Sequence, residues 1–337
     1  MSATSTATRP IPRWAAFVGL TAAVLAVVLI ASLLFGARSI PFGELWTILS
    51  SGPNGGSSDE HTIVWGLRFP RTVLAAAAGA SLAVAGAFAQ SWTRNPLADP
   101  GIIGITAGAS FLVALFFSFG LVGGIWESLA ALIGAAATAA IVIVSTQKTQ
   151  DSLTLILVGV GMTTALTAAT TLVALQSSRV YDGMRQWVVG STVGKDGGDI
   201  AIVLTGLVLG LILAAVTARP MDILALGDDV ASGLGSSPGT TRALAGVVIV
   251  VFAGMATAAV GPIVFVGFAA PHIVRPFTGP TLTRMLVPVA FVGAAVTVAG
   301  DILGRLLMRP GELEVSIVLA FIGAPFLILA VAKGMAR

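Results

Sequence analysis

Cysteine is absent from this 337-residue chain, which excludes disulfide bonds and cysteine-ligated metal. Charged residues are scarce at 10%, where a soluble domain carries about a quarter. Only two histidines occur, His61 and His272, with no i, i+4 His/Glu pair, so no metal site is expected. A net charge of +3 with scattered basic residues excludes nucleic-acid binding. A phosphate loop is also missing. The nearest approach, GSTVGKD at residues 190–196, has one residue too few between its glycines and Asp where a hydroxyl must meet magnesium. No catalytic residue is therefore expected, and any ATP and magnesium chemistry falls to another subunit.

What is present is apolar. Hydrophobic residues make up 56% of the chain, and its mean hydropathy is +0.99. Apolar runs of 18 or more residues recur, which predicts an all-α polytopic membrane protein. The short alternating segments of a transmembrane barrel are lacking. Residues 1–13 read as a cytoplasmic leader and 14–337 as one transmembrane domain. Ten spans are expected, near residues 14–35, 63–93, 101–121, 124–145, from 153, 200–218, up to 260, 268–277, 282–307 and 315–332. The eighth is too short to cross a bilayer unaided and follows a glycine-punctuated break at 261–267, so other protein must cover it. An even count puts both termini in the cytoplasm. Residues 36–60 read as a polar loop, and 179–199 as an insertion holding a short interfacial helix around Trp187.

Residues 67–109 organise the rest. Arg68 and Arg71 flank Pro70 at i, i+3 and share a helix face. Gly79, Ala83 and Gly86 then place small atoms on neighbouring turns, which lets another helix come close. Arg305 stands at the same end of the ninth span, four residues after Asp301, a spacing that makes Asp301 its partner. Three outward guanidiniums suit bidentate capture of a partner's carboxylates; the alternative is snorkelling at helix ends. Residues 219–242 hold two short amphipathic pieces, near 223–226 and 230–234, shaped to sit in a groove on another protein. Thr163, Thr167 and Thr170 share one face of the fifth span. Such a stripe either lines a water-filled path or bonds back to its own helix carbonyls.

Four stretches together resemble the FecCD-type permeases, the membrane subunits of ABC importers for ferric siderophores, haem and cobalamin. They are residues 67–109 with RFPR, Gln90 and NPLADP; 224–235, LALGDDVASGLG; 261–275, GPIVFVGFAAPHIVR; and 300–326. The resemblance implies the type II importer architecture, with ten helices per subunit and a path between two subunits. It also implies two ATPase subunits beneath and an extracytoplasmic substrate-binding protein above. By position, Arg68, Arg71 and Arg305 resemble residues that receive glutamates of the binding protein. Asn95, Pro96 and Leu97, with Ser152 and Leu153, resemble gate elements. Leu224, Ala225, Leu226, Gly227, Asp228, Ala231, Leu234 and Gly235 resemble the coupling segment that enters the ATPase. Two departures stand out. Glu312-Leu313-Glu314-Val315-Ser316 lacks the usual Pro and Gly, and Leu282-Thr283-Arg284 replaces the usual D-H-R. Both fit pairing with a non-identical sister subunit. The expected function is inner-membrane import of ferric siderophores, with haem or cobalamin import as the alternative. The rival from another class is a proton-driven transporter with Asp301 as relay, against which stand missing internal repeats and midplane charge pairs.

Overall fold

The computed structural model describes residues 13–36, 38–146, 152–308 and 311–332, and among them every regular element is helical. Thirteen helices follow one another: α1 (Arg13–Leu34), α2 (Phe42–Ser51), α3 (Asp59–Thr93), α4 (Ile105–Ser118), α5 (Ile125–Thr146), α6 (Ser152–Ala174), α7 (Ser178–Val189), α8 (Gly197–Leu224), α9 (Asp228–Gly233), α10 (Pro238–Val260), α11 (Val266–Thr278), α12 (Leu282–Leu307) and α13 (Val315–Ala332). Each of the ten expected spans falls on one of these helices. Seven of them are long and apolar enough to cross a membrane, α4 and α13 are shorter apolar helices, and α11 has 13 residues. The chain is a multi-pass membrane protein.

α3 is the axis of the bundle. In its most apolar window 89% of residues are buried, against 6% in the corresponding window of α6. Small residues explain the difference. Gly79 lies against Gly293 and Thr297 of α12, and Gly86 against the backbone of Gly267, so closely that an added Cβ at either would overlap a carbonyl oxygen. Bulk at these positions would separate α3 from both neighbours. α4 and α5 use the same device through Gly108 and Gly134, which bears out the expected antiparallel pair. α1 is pinned at both ends. The Trp14 indole donates to the Arg284 carbonyl (3.0 Å), Phe17 stacks on Phe277, and Ser32 Oγ meets Thr72 Oγ1 at 2.6 Å.

Three boundaries differ from expectation. Residues 36–60 are not simply loop, because α2 forms inside them and buries Leu45 and Ile48 beside Leu33, Ile40 and Val64. α8 does not stop before Pro220. It continues to Leu224, because Met221 and Leu224 bury into the core and packing outweighs the proline. The first expected amphipathic piece is thus the end of a long helix rather than a separate one. α4 begins later than expected, since a 3₁₀ turn, Pro100–Ile103, and a left-handed Gly104 (φ 76°) precede it. The break before α11 is irregular as expected and is covered by protein: Ser191 N–H donates to the Val260 carbonyl at 2.8 Å, and Gly261 packs on Gly190.

Candidate functional sites at the two ends of the bundle

α3 enters the bundle at Arg71 and leaves it at Arg94, and a charged cluster forms around each. At the first, Asp301 of α12 is fully buried and accepts on both carboxylate oxygens. Arg71 Nε donates to Oδ1 and Oδ2 (2.8 and 3.1 Å), Arg305 Nη2 to Oδ2 (2.5 Å), and the Thr192 hydroxyl to Oδ1 (2.8 Å). The expected i, i+4 pair is therefore real but is half of the arrangement. Arg305 also donates to the carbonyls of Ser32 and Phe35 (2.9 and 3.3 Å) and to Ser32 Oγ (2.6 Å). Arg68 donates to the carbonyls of Leu33 and Leu34 (2.6 and 2.9 Å) and to that of Arg38. These two guanidiniums cap the last turn of α1, whose carbonyls have no helical partner.

The expectation of three outward-reaching guanidiniums is corrected by this geometry. Arg68 and Arg305 are buried and turned inward onto α1, because the buried carbonyls of its last turn demand donors. Arg71 alone also faces outward, with Nη1 on Glu312 Oε2 at 2.5 Å. All three line a cavity of about 450 Å³, and among its described lining residues Arg38, Arg68, Arg71, Lys195 and Arg305 stand with one carboxylate, Glu312, while Arg38 is also paired with Glu60.

At the opposite end, Asp228 opens α9 and is held by two arginines. Arg242 Nη2 of α10 donates to both carboxylate oxygens at 2.8 Å, and Arg94 Nη2 to Oδ1 at 3.1 Å. Arg94 also donates to the Leu224 carbonyl (2.9 Å), so one side chain fastens the end of α8. Burial acts to raise the Asp228 carboxyl, but the hydrogen bond and charge of Arg242, with those of Arg94, outweigh it and hold it below the usual carboxylate range. Of the expected coupling residues, Leu224 and Ala231 are buried and anchor the segment. Leu226 and Leu234 are exposed and, with Val230, form an apolar ridge. Gly227 and Gly235, both at positive φ, bracket α9.

The NPLADP turn lies beside this cluster and is fixed by its own side chains. Asn95 Oδ1 accepts from Leu97 N–H and Asp99 Oδ1 from Gly101 N–H, both at 2.9 Å. Pro96 is half-buried, Leu97 exposed and Ala98 buried. Ser152 and Leu153 begin α6, but their side chains lie outside the described residues, as does the preceding turn. Gln90 joins α3 to α11: it accepts from Arg275 Nη2 at 2.8 Å and points its amide at the Gly267 carbonyl at 3.4 Å. The threonine stripe divides by exposure. Thr163 is half-buried, Thr167 exposed, and Thr170 buried with its hydroxyl on the Leu166 carbonyl at 2.7 Å. Sequence reasoning missed Thr192, Ser32, Glu312, Arg94 and Arg242 as members of the two clusters. Among the described residues no group of three or more His, Asp or Glu side chains could hold a metal ion.

A long small-residue helix, buried within a shell of apolar spans and pinned by charge at both ends, is the frame of a multi-pass membrane protein. The chain belongs to the FecCD transport family, whose model matches residues 24–333. It is 37% identical to the ferric enterobactin transport system permease protein FepD of Escherichia coli (strain K12), over 90% of both chains. It is 33% identical to the Fe(3+) dicitrate transport system permease protein FecD of Escherichia coli (strain K12), covering 88% of this chain and 92% of that one. Its fold is similar to a solved structure described as an inward-facing conformation of a metal-chelate type ABC transporter. That likeness has a TM-score of 0.84 at 24% identity and covers 94% of this chain and 99% of the other.

Proposed function

We propose that this chain is a permease subunit of an ATP-driven importer that passes ferric siderophore complexes through the cytoplasmic membrane. The relatives' named activities and the family support the reading, and the observation that carries it is the ridge of Leu226, Val230 and Leu234. Three exposed apolar side chains on a segment fastened to three helix ends by Arg94 and Arg242 can transmit a push only if another protein grips them. Two ATPase subunits with their own ATP and magnesium are the proposed grip. A second permease subunit completes the path, a non-identical sister being favoured by the departures at residues 282–284 and 312–316. The weakly buried face of α6, which includes Thr163 and Thr167, lies against that sister or the path, with Asn95, Pro96, Leu97 and the start of α6 as gate. The Arg71 end faces outward and receives an acidic surface of the binding protein in its cation-lined cavity, while both termini lie on the ATPase side. A proton relay at Asp301 fits poorly, because charged donors occupy both oxygens.

The test is a double substitution, Leu226→Glu with Leu234→Glu. ATPase co-purification should fall at least about tenfold, and uptake of radiolabelled ferric siderophore should be lost while the permease stays folded. Retained co-purification, or uptake that ignores ATP depletion and follows the proton gradient, would overturn the reading.

A further inference from the structure

The cavity at the Arg71 end contains its own competitor for an incoming acid. Arg71 divides its guanidinium between two carboxylates of opposite character. Nε and Nη2 face Asp301, whose side chain is 0% exposed and is also bound by Arg305 and Thr192. Nη1 faces Glu312, whose side chain is 32% exposed. The first contact is locked. Removing Asp301 would leave two guanidiniums buried without their counter-charge. The second is not. Glu312 sits on the irregular stretch before α13, and its pair with Arg71 is partly solvated, so its contribution is small and falls with salt. The neighbouring Leu313 N–H is tied to the Gly304 carbonyl at 3.0 Å, which holds the backbone while leaving the Glu312 side chain able to swing away. Among the described residues lining the cavity five are cations and one, Glu312, is a carboxylate; Arg71 and Arg305 are also paired with Asp301 and Arg38 with Glu60, so an entering acidic side chain reaches the Nη1 face of Arg71 only after Glu312 leaves.

We propose that Glu312 is a built-in stand-in for the partner's carboxylate. It occupies Arg71 Nη1 while the permease is unloaded and is displaced when an acidic side chain of the binding protein enters the cavity. This rests on the proposed docking at that end. In its terms the accessible contact is Arg71 Nη1 rather than three projecting arginines, and Arg68 and Arg305 hold the floor of the cavity. The arrangement tunes docking. A self-supplied acid keeps the cavity from holding stray anions and weakens the partner's grip enough to permit release after each cycle.

The experiment measures binding of the purified substrate-binding protein to the assembled transporter in nanodiscs, with Glu312→Gln and Arg71→Gln compared to the parent chain. Glu312→Gln should tighten binding about three- to tenfold at low salt, with the gain shrinking at high salt. Unchanged or weaker binding overturns the stand-in role. Arg71→Gln should weaken binding, and in that background Glu312→Gln should have no further effect; an undiminished gain there also overturns it. If Arg71→Gln fails to assemble, Arg71→Lys serves in its place; it keeps the charge but loses the fork, so the gain from Glu312→Gln should shrink there rather than vanish, and an undiminished gain overturns the stand-in role. Binding that ignores Arg71→Gln in a folded transporter would instead sink the docking reading itself, so the two failures read differently.

Discussion

The two ends of α3 carry clusters of the same composition, one aspartate held by two arginines, in opposite surroundings. Asp301 is wholly buried and its partners Arg71 and Arg305 are at most 12% exposed, whereas Asp228 is 36% exposed and Arg94 48%. The Asp301 cluster also satisfies backbone carbonyls of α1, so it is part of how the bundle closes. The Asp228 cluster ties short surface pieces together and leaves an apolar ridge outside. One cluster therefore fixes structure, and the other fixes the attitude of a segment that can move as a unit.

The largest test of this contrast is to remove one charge from each. Asp301→Asn leaves Arg305 buried without its paired carboxylate and Arg71 with Glu312 alone, and breaking a buried pair in this way costs about 3–5 kcal/mol in soluble proteins. Detergent-solubilised protein should lose most of its folded fraction in thermal size-exclusion assays. Asp228→Asn should cost no more than about 1 kcal/mol, as exposed pairs do. Equal losses would erase the distinction.

A smaller effect separates the two arginines at Asp228. Arg242 makes two 2.8 Å bonds from a side chain that is 16% exposed, while Arg94 makes one at 3.1 Å. Arg242→Met should therefore loosen residues 228–236 more than Arg94→Met does, with each change worth up to about 1 kcal/mol. Hydrogen exchange of those amides checks the order. Faster exchange in Arg94→Met would show that its bond to the Leu224 carbonyl, rather than the carboxylate, is the dominant fastening.

The sequence made one end more legible than the other. Asp301 and Arg305 sit four residues apart inside an apolar run, so their pairing could be read directly. Thr192 and Arg71 reach the same carboxylate from 109 and 230 residues away, and no local pattern announces such a contact. Burial of Arg68 and Arg305 was hidden for a related reason: the carbonyls they cap belong to α1, and a helix end's unmet acceptors leave no trace in residue type. The spans were legible because hydropathy integrates over some 20 residues. α2 was not, since ten residues reading FGELWTILSS between Gly- and Ser-rich flanks resemble a loop with stray apolar residues. Its signal lay in Leu45 and Ile48, three residues apart and both buried. The end of α8 was misplaced because the polar stretch from Arg219 reads as a loop, whereas burial of Met221 and Leu224 carries the helix past Pro220.

The smallest effect concerns pH and belongs to the Asp228 end. Its carboxyl is held below the ordinary range of about 4, so folding the segment favours the charged form. Linkage then sets the sign. The carboxylate's contribution is fully present above its unfolded value and is lost as pH falls through the lower folded one. Protease accessibility of residues 225–237 should stay flat from pH 7 to about 4 and rise below it. The groups facing Asp228 are the guanidiniums of Arg94 and Arg242, so the Asp228 carboxylate supplies the transition at this contact. Asp222, a second carboxylate near the segment, anchors the start of α12 through Leu282 N–H and Thr283 and forms a background to this measurement. Comparison with Asp228→Asn removes that background: the variant should be slightly more accessible at neutral pH and should converge with the parent chain below the transition. A gap that persisted at the lowest pH would mean that the asparagine had changed packing rather than charge, and the surface-fastening account of this end would fail.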